Sequence, residues 1–456
     1  MTTFLGDEYL FTNGTAKKIF SEIKDLPIID AHNHANVKEI LDNKNYIDIW
    51  QVEAATDHYV WELMRKRGVP ERLITGDASN EEKWHALATV FEDFAGNPTY
   101  EWIHLDLQRR LGITAMINKG NAKLIWDHAK ARLARPGMKP QDLLVAMRVE
   151  VMCSTDDPVD TLEHHEAIAT LKGIPRVLPT WRPDRSMNIF KTDFPDYIKK
   201  LEARTRTKIA DISGLVSALQ ATHDYFEVHG CRASDHGIHT PFGYNVPESR
   251  ADEIFKKRMA GKAVDSDEIR DYISYMMHQY AAMNSKSGWV MQIHVGAVRD
   301  YRAVLFENLG PDTGGDICDP AIPLVEPLKA LLNAFDGKLK VVLYSLDPVH
   351  WPALATITRA FGKDVNLGSA WWFNDSPVGM RRQLEYIGSV DLLANFAGMV
   401  TDSRKLMSYG SRTEMFRRVL ADVLGAMVEK GQVPEVLAIK LARRVCYDGP
   451  KEIFGF

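Results

Sequence analysis

Eight times along this chain a short apolar, β-rich run ends in polar or charged residues and gives way to a helical pattern. The runs are Leu26–His34, Glu150–Pro158, Arg176–Asp184, Gly230–His236, Trp289–Ala297, Lys340–Pro348, Val365–Phe373 and Gly398–Arg404. Apolar runs separated by helical segments argue for parallel strands covered by their crossover helices. Eight such units predict an α/β fold of the (β/α)8 TIM-barrel type, in which catalytic groups sit at the C-terminal strand ends. Each run carries its polar residues at that end.

The chain has 456 residues, against roughly 250 for a plain barrel. Its surplus is unevenly spread. The connection Ala35–Val149 is far longer than an ordinary crossover and predicts a helical insertion after strand 1, and Gly237–Gly288 predicts a smaller one. The expected organisation is therefore an N-terminal helix with strand 1 over 1–34, a helical insertion over 35–149, and the rest of the barrel over 150–456 with an addition at 237–288. Both additions are expected over the catalytic mouth. Within the first, Trp84, Leu87, Ala88, Phe91 and Phe94 recur at helical spacing and stop before Gly96 and Pro98. After the last run, Ser411 and Glu414 have capping-box spacing. Met415, Phe416, Val419, Leu420, Val423, Leu424 and Met427 then follow a 3.6-residue period as far as Gly431.

Composition narrows the function classes. Hydrophobic residues make up 45% and charged residues 26% of the chain, as in ordinary folded proteins. The net charge is −5, with no basic stripe, so a nucleic-acid binder is not expected. No apolar run is long enough for a membrane span. Asp7 and Glu8 fall where a secretory leader would be apolar. The four cysteines (Cys153, Cys231, Cys318 and Cys446) are scattered and form no CxxC, which fits a reduced, cytoplasmic protein.

His32-Asn33-His34 is the sharpest local pattern. Alternate residues of an extended segment face one side, so both imidazoles can reach one metal ion, with Asp30 on the same face. Two solvated loop histidines would look the same. In a closed barrel the eighth strand lies beside the first, and Asp402 near its end could complete a His/His/Asp site suited to Zn²⁺ or another divalent metal. Asp402 could instead cap the next helix. Arg404, two residues on, could serve the site or a surface salt bridge. Gln292 and His294 share a face of the fifth run, where buried polar groups need a task or a partner. Asp235 and His236 end the fourth run. Arg182 offers a planar fork for a carboxylate, or a partner for Asp184 or Asp156. Trp371-Trp372-Phe373 could stack on a sugar face or pack as a rim. In the insertion, His58 can act as acid or base and Tyr59 can donate to an oxyanion, although either could be an ordinary helix residue.

Together these pieces resemble the uronate isomerase (glucuronate isomerase) family, an atypical branch of the amidohydrolase superfamily. The resemblance rests on FLGDEYL, DAHNH, TDHYVWELMR, NPTYEWIHLDL, STDDP, LPTWRPDR, ASDH, QIHVGAVRDYR, GPDTGGDI, LDPVH, WWFNDSP and GMVTDSRKLMSYGSRTEMFRR, in order along nearly the whole chain. It implies a metal-dependent-hydrolase-like barrel with a helical insertion after strand 1. It also implies reversible aldose–ketose isomerisation, D-glucuronate to D-fructuronate and D-galacturonate to D-tagaturonate, in hexuronate catabolism. His32, His34 and Asp402 fall on the metal positions, for one divalent ion, Zn²⁺ first and Mn²⁺ as an alternative. His58, Tyr59, Arg182, His294, Trp371, Arg404 and Asp235 fall on catalytic or substrate-contacting positions. Such an enzyme acts on a small hexuronate in the cytoplasm, commonly as a homo-oligomer.

Two rivals stand beside this reading. One is a mononuclear hydrolase, a lactonase or deaminase, on the same scaffold. A two-metal hydrolase would want a lysine on the fourth run, and Gly230–His236 has none. The other is an inactive sugar-acid-binding protein, which would be expected to have lost a ligand or clamp.

Overall fold

The structure is a computed structural model and describes residues 3–456. Seven parallel strands fall where the first seven runs predict them. They are β1 (Ile28–Asp30), β2 (Val149–Cys153), β3 (Arg176–Leu178), β4 (Ala233–Ile238), β5 (Val290–Val295), β6 (Lys340–Ser345) and β7 (Val365–Leu367). Ladders join β1–β2–β3 and β4–β5–β6–β7, all in parallel. Trp181, just past β3, stitches the two sets together through parallel bridges to Asp156 and Ser234.

The eighth run differs from expectation. Gly398–Arg404 forms no regular strand. Asp402 adopts a left-handed conformation, φ +49°, and such a residue interrupts the pleat a ladder needs. The segment still closes the circle. Ala397 N–H donates to Leu367 O at 2.9 Å, Asp402 N–H to His32 O at 3.3 Å, and His34 N–H to Ser403 O at 3.0 Å. Asp30 reinforces the seam by accepting from Thr401 N–H at 3.0 Å and from its hydroxyl at 2.6 Å. The result is a (β/α)8 barrel whose last stave is held partly by side chains.

The regular elements between β1 and β2 are all helical, from Val37–Asp42 through Pro140–Ala146. They bury their own apolar cluster around Trp50, Trp84, Phe91, Ile103 and Leu107, which reaches the barrel at Ile28, Met152, Leu406 and Tyr409. The helix predicted around Trp84 runs Asn80–Val90 and tightens into a 3₁₀ turn at Phe91–Phe94 before Gly96. A second addition follows β4, with helix Glu248–Met259 leading into Ser266–Ser287, the crossover to β5. A third, not anticipated, lies between β5 and β6, where Ala297–Val298 pairs antiparallel with Ile317–Cys318.

The capping box expected at Ser411 and Glu414 is not formed. The final long helix, Ser408–Glu429, already begins at Ser408. The Ser411 hydroxyl donates back to Ser408 O, and Glu414 pairs with Arg109 and Arg418. The periodic residues from Met415 to Leu424 are buried as predicted, but so are Arg412, Arg417, Arg418 and Asp422 on its other faces. The helix is enclosed by the barrel, by the insertion and by helix Gly14–Ile23.

Candidate active site

The chain leaves the strands at one end of the barrel into a cavity of about 340 Å³, inside the usual range for small-molecule sites. Its floor is made by the closing seam. His32 and His34 leave β1, and the strained turn at Asp402 aims its carboxylate between them. Asp402 Oδ1 lies 3.2 Å from His32 Nε2 and 3.1 Å from His34 Nε2. The rings of His32 and His34 stand 5.1 Å apart and nearly perpendicular. Asp30, expected on this face, instead turns to Thr401, so it braces the seam and leaves the cavity to the histidines.

A second carboxylate lies deeper. Asp235 on β4 is fully buried. Its Oδ2 is 3.6 Å from His32 Nδ1 and 3.2 Å from Arg182 Nη1, and its Oδ1 is 2.7 Å from His294 Nδ1. His32 Nδ1, both Asp235 oxygens and both His294 nitrogens nevertheless complete no hydrogen bond. Buried polar atoms left this way are rare. They point to a ligand supplied from outside the chain.

Two donor sets therefore share His32: His32, His34 and Asp402, and His32, Asp235 and His294. The nitrogen and carboxylate donors of the first suit a divalent transition metal with positions left open. In the second, the Arg182 guanidinium already neutralises Asp235, which disfavours a further cation. Electrostatics agree for Asp402 and His34, but not for His32: burial would lower it, and Asp235, then Asp402, outweigh that and raise it. Burial would raise Asp402, but the bonds from His32 and His34 outweigh it and hold the carboxyl well below the usual range. Burial likewise opposes Asp235, and Arg182, then His32 and His294, hold it well below. Burial pushes His34 and His294 each down to about 4. Both imidazoles are thus neutral near pH 7, as ligands or acceptors must be.

The insertion closes one wall. Helix His58–Lys66 starts at the cavity, capped by Asp57, which accepts from Tyr59 N–H at 3.0 Å. Lys405, buried just past Arg404, ties this helix start down through Glu53 at 2.8 Å and Asp57 at 3.5 Å. Tyr59 presents its hydroxyl 3.4 Å from Asp402 Oδ2. Burial, then the Asp402 charge, raises its phenol well above the ordinary value, so it is a neutral donor. His58 stacks on Tyr59 at 4.7 Å and pairs through Nδ1 with Glu62 at 2.9 Å.

Two arginines also line the cavity, each paired with carboxylates. Arg182 pairs with Asp184 (Nε to Oδ2, 2.7 Å) and Asp235. Its contact to Asp156 is only a backbone bond. Arg404 reaches Asp312 at 3.3 Å. Trp371 and Trp372 line the cavity, whereas Phe373 faces solvent. Of the other paired candidates, Gln292 turns inward to Ala31 O and Tyr344, and His236 bonds to the Ser234 hydroxyl. Sequence reasoning missed Asp312 and Arg299. They line the cavity from the β5–β6 addition, 3.7 Å apart. The glycine-flanked Asp312 in GPDTGGDI was the available signal.

Comparison with known proteins gives this geometry a family. The sequence model of the glucuronate isomerase family matches residues 1–454. The chain belongs to that family. Its class is therefore that of the aldose–ketose isomerases, and the hydrolase reading is not favoured. The chain is 55% identical over 452 residues to a uronate isomerase of Thermotoga neapolitana, covering 99% of each. Among solved structures, uronate isomerase from Thermotoga maritima superposes with a TM-score of 0.98 at 54% identity, covering 99% of this chain and 100% of that one. Glucuronate isomerase from Caulobacter crescentus gives a TM-score of 0.93 at 25% identity, covering 99% and 96%.

Proposed function

We propose that this chain interconverts D-glucuronate with D-fructuronate and D-galacturonate with D-tagaturonate in the cavity above the barrel seam. The observation that carries the reading is the juxtaposition of the Asp402 carboxylate with Tyr59, between two histidines, in a cavity that Arg182 and Arg404 also line. Aldose–ketose isomerisation moves a proton from C2 to C1 through an enediol, while the O2 hydroxyl proton passes to O1. It needs a base near the C2 hydrogen, a donor for the developing oxyanion and a clamp for the distant carboxylate.

Asp402, held ionised, is the candidate base at C2. Tyr59, held protonated beside it, is placed to exchange a proton with the sugar hydroxyls. His58 and Arg404 stabilise the oxyanion. Arg182 grips the carboxylate with Nη2, the N–H edge that Asp184 and Asp235 leave free. His294, oriented against Asp235, offers Nε2 to a hydroxyl, and Trp371 packs on the sugar. Asp235 itself orders Arg182 and His294. His32, His34 and Asp402 would hold one divalent ion, Zn²⁺ or Mn²⁺, and that ion when bound would draw substrate oxygens into register.

On this reading residues 35–149 act as a subdomain that supplies part of the active site. The enzyme works in the cytoplasm as a homo-oligomer on a free hexuronate. No helix among the described residues is long and apolar enough to cross a membrane. None of the four cysteines is paired.

The deciding assay incubates the protein with each uronate and detects ketose, with and without chelator and added Zn²⁺ or Mn²⁺. Glucuronate binding with no ketose at any metal loading would overturn the proposal. Solvent-deuterium exchange at C2 separates the proton roles: normal exchange in Asp402→Asn with loss in Tyr59→Phe would reverse the base assignment.

A further inference from the structure

Arg412 lies on the second turn of helix Ser408–Glu429 and is 1% exposed. Burying a guanidinium is costly unless its charge and donors are met. Here the charge and Nη1 are met by two parts of the chain far apart in sequence, while Nε finds no hydrogen-bond partner. From the barrel, Nη1 donates to Thr401 O at 2.8 Å and to Asp375 Oδ2 at 3.1 Å. From the insertion come two rings, with the guanidinium carbon 4.1 Å from the Trp102 centroid and 4.9 Å from that of Tyr59. The two rings meet edge to face, 5.9 Å apart.

Thr401 is the residue before Asp402, whose backbone is in the left-handed region. One planar cation thus touches the Tyr59 ring and the backbone next to Asp402. It fixes the turn that aims the carboxylate and the ring that carries the hydroxyl. Lysine could supply the charge but neither the flat stacking face nor the fork.

We infer that Arg412 is a positioning residue of the isomerisation, pinning the Tyr59 ring of the insertion against the Thr401–Asp402 turn of the barrel. The inference rests on the role proposed above for Tyr59. The Tyr59 hydroxyl is already 3.4 Å from Asp402 Oδ2, and misplacement of reacting groups by about 1 Å costs on the order of a hundredfold in rate.

The test is a double-mutant cycle on the metal-loaded enzyme with D-glucuronate. Arg412→Lys is expected to lower kcat by more than about tenfold while KM stays within about threefold. Its Zn²⁺ content per chain and its cooperative melt should be retained. In a Tyr59→Phe background the same change should cost clearly less than it does alone, because the hydroxyl it positions is gone while the Asp402 turn remains. Unchanged kcat, an effect confined to KM, or losses that multiply in the double variant would each overturn the inference. If Arg412→Lys does not fold, Asp375→Asn takes its place in the cycle under the same outcomes, since it keeps the guanidinium and weakens its anchor. A Tyr59→Phe enzyme with normal turnover removes the proposed role of Tyr59 and this inference together. Multiplying losses on an impaired Tyr59→Phe enzyme remove this inference alone.

Discussion

A single methyl group at Gly237 tests how the substrate carboxylate is held. A Cβ built there would lie 2.1 Å from Arg182 Nη2, where ordinary contact begins near 3.4 Å. The guanidinium therefore has to retreat by more than about 1 Å. It does so against tethers, since Nε is fixed to Asp184 at 2.7 Å and Nη1 to Asp235 at 3.2 Å. Nη2, the nitrogen pushed aside, has no carboxylate partner among the described residues and is the one free for substrate. The Gly237 N–H bond to Asp184 at 3.0 Å survives in alanine, and Gly237 does not have positive φ, so the fold is barely affected. Loss of one charge-assisted hydrogen bond to substrate is worth about 1.5–3 kcal/mol. That predicts a KM for D-glucuronate about tenfold to a hundredfold higher in Gly237→Ala. Steady-state kinetics and a thermal melt on the same preparation read both quantities. Unchanged KM in a folded enzyme would refute the clamp. A collapse in melting temperature would refute the claim that only the arginine tip gives way.

The other expectations are briefer. His34→Ala removes one donor of the His/His/Asp set and should weaken Zn²⁺ binding by at least about tenfold, read by metal titration with a competing chelator. Gly368→Ala places a Cβ 2.0 Å from Tyr344 Cε1, and that ring stacks on His294 at 4.2 Å; overpacking should cost about 1–3 kcal/mol in denaturant unfolding. Burial lowers His104, His165 and His223 each to about 4. Between an unfolded value near 6.5 and about 4 the unfolded chain binds more protons than the folded one, so stability falls as pH drops through that window, by up to about 3 kcal/mol per histidine. Urea unfolding from pH 7 to 4 checks this, and His223→Phe should flatten part of the slope.

Most of the strands were legible because a buried parallel strand favours apolar residues on both faces; β4, with Ser234, Asp235 and His236, was placed in spite of that rule. The eighth was legible in place but not in form. Its turn at Asp402 is set by side chains of β1 and by Arg412, which no local pattern encodes. His32, His34 and Asp402 could be paired from barrel closure alone, and the family resemblance added His58 and Tyr59. Asp30 was misjudged because alternation gives a face only while the chain stays extended. Asp312 and Arg299 were missed because their loop reaches the cavity through tertiary packing. Arg412 was invisible because a buried arginine inside an apolar helical period reads as exposed.

The seam has a consequence for how the protein is made. Asp30 meets Thr401, and His32 meets Asp402, across about 370 residues of chain. Contacts that distant close late, since the loop they complete is long and the earlier strands must already be paired. During synthesis the two histidines emerge first and wait for their carboxylate until nearly the whole chain has left the ribosome. No product that stops before Asp402 can therefore assemble the His/His/Asp trio, so ketose formation reports a chain made past its closing seam.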